Sequence, residues 1–178
     1  QLILFNATSL IAVQEKLGKV FFDHFKIPII VDHGEYTLLI TEQIFSEFTK
    51  YKLNTNYYLF KKISIKNILK TIKNYTPDKV IIISGIKAGR GQSYKTEDIN
   101  ELHLTDMIYL PPKFQSCETL IQAAGRITGI YSNPEICLHI WTPKVSRDSI
   151  LEYIEYQNKI LDQCKFSTEN ITDITKKF

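Results

Sequence analysis

Between Lys79 and Ser84 the chain reads KVIIIS, with four apolar β-branched residues in succession from Val80 to Ile83. Successive side chains of a strand point to opposite faces, so an apolar run without alternation needs cover on both sides. Branching at Cβ disfavours helix over the same stretch. A central, doubly covered strand is therefore the first requirement on the fold, and the rest of the chain has to supply its cover.

The flanking segments do so by alternation. LILFNA (2–7), IPIIVDHG (27–34), NYYLFKK (56–62), MIYLP (107–111) and EICLHIWT (135–142) read as further strands. Between them lie helical spacings. Leu10, Val13, Leu17, Phe21 and Phe25 predict a helix that Ser9 could cap. Residues 40–51, ITEQIFSEFTKY, predict a weaker one with Thr41 as cap. In 64–77, Ser64 starts a helix that carries Ile65, Ile68, Leu69 and Ile72 on one face and stops before Pro77. Ser116 opens SCETLIQAAGRIT, and SRDSILEYIEYQNKIL (146–161) forms the last helix, with Ile150, Tyr153, Ile154, Gln157 and Leu161 on one side. Strand–helix alternation means an α/β fold with a mainly parallel sheet. Residues 1–163 form one such domain, and 164–178 form a polar tail.

In a parallel sheet, ligands sit beyond the carboxyl ends of the strands. There the sequence places SGIKAGRGQSY (84–94), with three glycines in seven residues and Arg90 between two of them. A phosphate-binding P-loop, GxxxxGK[ST], does not fit: five residues separate Gly85 from Gly91, and Gln92 stands where the lysine is needed. No GxGxxG register exists either. Arginine is scarce in this chain: Arg90, Arg126 and Arg147 are the only three among 22 basic residues. Two of the three lie in glycine-flanked turns, GRG and AAGRITG. The net charge of +3 does not by itself mark a nucleic-acid binder. The three cysteines, Cys117, Cys137 and Cys164, form no CxxC pair, which predicts reduced thiols in an intracellular protein and no zinc site. No apolar run reaches the ~18 residues of a membrane helix. His33 in DHG is expected to shape a turn, and His24, His103 and His139 have no partner at catalytic spacing. The opening QLILFNA begins directly in a strand, as expected of a piece of a longer chain.

LIQAAGRITGIY adds a QxxGR signature, Gln122 to Arg126, within a predicted helix about 35 residues beyond the glycine loop. Strand, A-G-R-G, strand, helix with Q-x-x-G-R, strand resembles the order of motifs V and VI in the second RecA-like lobe of superfamily 2 helicases. LILFNATSLIAVQEKL is similar to the motif IV strand and helix, and VDHGEYTLLITEQIFSEF to the segment with a His-Gly turn that follows it. The resemblance spans about residues 2–142 and points to a divergent branch, such as the replication helicases of large DNA viruses. It implies a three-layer αβα fold and a half-site for ATP and Mg²⁺, both held mainly by an N-terminal lobe absent from this sequence. Arg126 would be the arginine finger, and Gln122 would hold the nucleotide or orient a water. Gly89, Arg90, Gly91, Ser93 and Gly125 would approach the nucleotide, while Asn6, Gly85 and Lys87 would face nucleic acid, DNA rather than RNA.

This sequence departs from the family at Gly129, where a second arginine is common, and at Ser93, where an acid usually follows R-G. The alternative to a helicase or translocase lobe is therefore a catalytically inert RecA-like module that binds nucleic acid or a protein partner. A free-standing nucleotide-metabolising enzyme would need a complete phosphate site, and no GKT loop or DEx[DH] signature is present.

Overall fold

A computed structural model describes residues 1–6, 10–33, 35–75, 77–85, 94, 102–111, 116, 119, 121–122 and 137–166. The KVIIIS run forms β5 (Val80–Ser84), buried at every position. Around it stand β1 (Leu2–Asn6), β2 (Ile29–Asp32), β3 (Tyr36–Ile40), β4 (Tyr57–Lys61), β6 (Leu104–Tyr109) and β7 (His139–Trp141). The seven strands lie in the order β4-β3-β2-β5-β1-β6-β7. Along that order all pairs from β2 through β7 are parallel, and among the described residues the β2–β3 and β3–β4 pairs are antiparallel.

Helices cover both faces, which gives the three αβα layers of a RecA-like fold. On one face α1 (Ile11–Phe25) packs over β2 and β5 and buries Phe22 with Ile29, Val31, Ile40, Ile81 and Ile83. On the other, α2 (Ile65–Lys73) sets Ile65, Ile68, Leu69 and Ile72 against Leu4, Ile30, Leu39, Tyr58, Phe60 and Ile82. Burial of side chains of this size stabilises by roughly 1.5–3 kcal/mol each. The Ser64 hydroxyl accepts a hydrogen bond from the Asn67 amide at 3.4 Å, so the predicted cap is in place. The terminal helix, α3 (Lys144–Phe166), reaches this same core through Ile150.

Three expectations need correction. Residues 40–51 are not an α-helix. YTLLI completes β3, and only a 3₁₀ turn follows over Ser46–Tyr51. Thr41 caps a turn instead, its hydroxyl accepting from the Gln43 amide at 3.0 Å. Ile40 is the last residue of β3, which pairs with β2 and β4, and the Thr41 amide still donates to the Asn56 carbonyl at 2.9 Å, so the chain follows the hairpin where the helix was expected to start. Of the stripe expected on α1, Leu17 and Phe21 pack partly buried against the core and Leu10, Val13 and Phe25 are exposed, while the fully buried positions, Gln14, Gly18 and Phe22, lie one residue further on. On α3, Ile154 and Leu161 are exposed as well.

Candidate functional site

Because β2, β5, β1, β6 and β7 are parallel, their carboxyl ends share one edge. The register sets Asp32 beside Ser84 and Asn6 beside Tyr109. Asn6 is half-buried, and its carbonyl oxygen accepts from the Leu110 amide at 2.9 Å, which locks the ends of β1 and β6 together. Gly85 is buried immediately beyond β5, and its carbonyl accepts from the Ser84 hydroxyl at 3.2 Å.

The glycine loop leaves this edge at Gly85, and the chain is described again at Tyr94. That side chain is buried, and its hydroxyl lies 3.1 Å from Ser84 Oγ and 3.4 Å from Asp32 Oδ2. Both flanks of the loop are thus tied to the carboxyl ends of β5 and β2. Asp32 and Ser84 are 2% and 3% exposed, so these polar groups depend on such bonds for their burial. Tyr94 was not singled out from the sequence. Its only signal was an aromatic residue closing a polar, glycine-rich stretch.

Of the residues assigned from the sequence, Asn6 and Gly85 share this edge. Gln122 is helical and exposed. Thr119 and Ile121 are helical too, and the Ser116 hydroxyl accepts from the Thr119 amide at 3.4 Å. Lys87, Gly89, Arg90, Gly91, Ser93, Gly125 and Arg126 lie outside the described residues. Among the described residues no group of three or more His, Cys, Asp and Glu side chains could hold a metal ion, and no helix is long and apolar enough to cross a membrane.

Next to Asp32, the His33 side chain is fully enclosed. Its Nδ1 lies 2.8 Å from Gln14 Oε1 on α1. With that carbonyl oxygen accepting, the ring proton is on Nδ1 and Nε2 carries the lone pair, 3.6 Å from the Glu15 carboxylate. Burial lowers the His33 pKa below 6.5, against the opposing pull of Glu15 and Asp32, so the ring is held toward its neutral form. Glu15 also accepts from the Tyr36 hydroxyl at 2.7 Å. That bond first, and burial second, push the Tyr36 phenol up to about 12. His33 therefore does more than shape a turn: it joins α1 to the end of β2.

His139 does have partners. Its Nδ1 is 3.5 Å from Asp106 Oδ1 on β6, and its Nε2 is 3.5 Å from Cys137 Sγ. The β6–β7 register, which pairs Asp106 with His139, brings together groups far apart in sequence. Cys137 is exposed, His139 is half exposed and Asp106 is largely covered, so the trio opens to water on the cysteine side.

No family model, curated protein or solved structure matches this chain.

Proposed function

We propose that this chain is the C-terminal lobe of an ATP-dependent nucleic-acid helicase or translocase of superfamily 2, completing an ATP site shared with an N-terminal lobe. The observation that carries this reading is the ordered pair A-G-R-G and Q-x-x-G-R in one strand–helix alternation. The α/β sheet supports it: Asn6 and Gly85 end neighbouring strands at the edge where parallel sheets take ligands, and Tyr94 anchors the far flank of the glycine loop there.

ATP bound with Mg²⁺ would supply the phosphoryl group whose transfer to water drives movement. Arg126 would then neutralise charge that develops on the γ-phosphate, a task suited to a guanidinium because it stays charged and presents a planar fork. Gln122, one turn earlier, would position the attacking water or the nucleotide. Arg90 would tie the glycine loop to neighbouring carboxylates, so that nucleotide state and strand position are coupled. The backbone amides of Gly89, Gly91 and Ser93 would hold phosphate, Gly125 would let the helix beside Arg126 approach the opposite lobe closely, and Lys87 would add a cation.

The test is steady-state ATPase of the longer protein that contains this chain, with and without single strands. Arg126→Lys is expected to cut kcat by about 10³ or more with nucleotide affinity nearly unchanged, because the finger acts mostly in the transition state. Arg90→Lys is expected to weaken stimulation by nucleic acid more than basal hydrolysis. Near-normal turnover in Arg126→Lys removes the finger assignment and leaves Arg147 as the arginine to test. Full nucleic-acid binding without any hydrolysis in the wild type favours the inert module.

A further inference from the structure

On the face covered by α1, the β3–β4 hairpin extends beyond the helix. Alternate residues of the two strands, Tyr36 and Leu38 with Tyr57 and Leu59, form a floor, with Leu38 opposite Leu59 and Tyr36 opposite Lys61. The side of α1 forms one wall. Together they enclose an open groove of about 980 Å³. Lys16 and Lys19 rise from the helix, and Lys61 and Lys62 from the end of β4. All four are exposed, and none has an acidic partner among the described residues. Two acids share the rim, Glu15, which accepts from the Tyr36 hydroxyl, and Glu35, so four cations face two carboxylates there. Lys62 has φ of 63°, a left-handed conformation that glycine or asparagine adopts more easily. The turn thus carries a strained lysine at the groove.

We propose that this groove binds single-stranded nucleic acid, with phosphates on Lys16, Lys19, Lys61 and Lys62 and bases against the rings of Tyr36 and Tyr57. Unpaired cations beside an apolar, ring-bearing floor fit a ligand that alternates anionic groups with flat apolar ones. The open top lets a continuous strand pass. The choice of nucleic acid over another polyanion rests on the helicase reading. The groove itself lies beside the sheet's antiparallel edge, apart from the glycine loop, and gives the strand a second track on the lobe.

Fluorescence anisotropy with a labelled oligothymidylate, titrated into the 178-residue chain at several salt concentrations, tests it. The double variant Lys16→Gln/Lys61→Gln is expected to weaken binding about tenfold at low salt. It should also flatten the log–log salt slope by about 1.4, at ~0.7 per phosphate contact on a single strand. Tyr57→Leu is expected to weaken oligothymidylate about fivefold or more and to leave inorganic polyphosphate unaffected, since stacking is lost and charge is kept. Tyr57→Phe should restore the affinity. A thermal melt of each variant accompanies the titration, and the surface lysine pair decides the matter if Tyr57→Leu does not fold. Wild-type affinity in the lysine variant, no binding by the wild type, or displacement of the oligonucleotide by polyglutamate overturns the proposal. If binding ignores the groove while hydrolysis in the longer protein needs Arg126, the groove alone fails. If binding needs the groove while the longer protein hydrolyses no ATP, the helicase reading fails and the groove stands.

Discussion

His33 shows how a single residue links the edge of the sheet to its covering helix. Its ring is enclosed, bonded to Gln14, and held toward neutrality by burial. Well above pH 6.5 the ring is neutral in folded and unfolded chains alike and contributes no pH dependence. Below 6.5 the unfolded chain takes up a proton that the folded chain resists, so stability falls as the pH drops toward the depressed folded value. His33→Gln is expected to flatten the melting temperature against pH between about 6.5 and 5, the range where unperturbed histidine titrates. Thermal melts across that range check it, and equal slopes in the two proteins refute the assignment. Neither the burial of Gln14 nor its bond to His33 could be read from the sequence. A glutamine among apolar neighbours normally marks the solvent side of a helix, and a bond to a histidine 19 residues away helps make its burial tolerable.

Elements were legible to the degree that their apolar residues chose one side. In α2 the predicted face, Ile65, Ile68, Leu69 and Ile72, is the buried face. In α1 apolar residues encircle the helix, so spacing alone could not select the buried side, and Gly18 at its centre carries no hydrophobic signal. Gly18 is buried because the sheet is close. A Cβ there would meet Val31 Cγ2 at 2.6 Å and Ile40 Cδ1 at 3.2 Å. Val31 and Ile40 are themselves fully buried, and branched side chains have few rotamers to retreat into. Gly18→Ala should therefore lift α1 from β2 and β3. Overpacking of this kind costs about 1–3 kcal/mol, against a gain of about 1 kcal/mol in helix propensity. A net loss of about 1 kcal/mol is expected in urea denaturation, and an alanine variant as stable as the wild type contradicts the close approach. The missed strand β3 has a related cause: four consecutive buried residues, Thr37 to Ile40, show no alternation to distinguish strand from helix.

At the scale of the molecule, the alternation and the mainly parallel sheet were legible in the sequence. The side chains that converge across strands were not legible. Tyr94 on Ser84, and His139 between Asp106 and Cys137, depend on strand order and register, which spacing along one chain does not encode. The same holds for the four groove lysines, which look scattered in the sequence and gather only when β4 reaches the sheet edge beside β3. Their number bounds what the chain can do alone. Four phosphate contacts at ~0.7 each give a log–log salt slope of about −3 for single strands, and a net charge of only +3 adds little long-range attraction. Binding by the 178-residue chain should therefore be weak and salt-sensitive. Hydrolysis of ATP by the same chain should be absent, because it has no GKT loop and no DEx[DH] acids to hold Mg²⁺ and phosphate. Repurified protein assayed for phosphate release, with and without oligothymidylate, checks this. Turnover near ~1 s⁻¹, an ordinary enzyme rate, would mean that a complete phosphate site exists within these residues and that the half-site assignment is wrong.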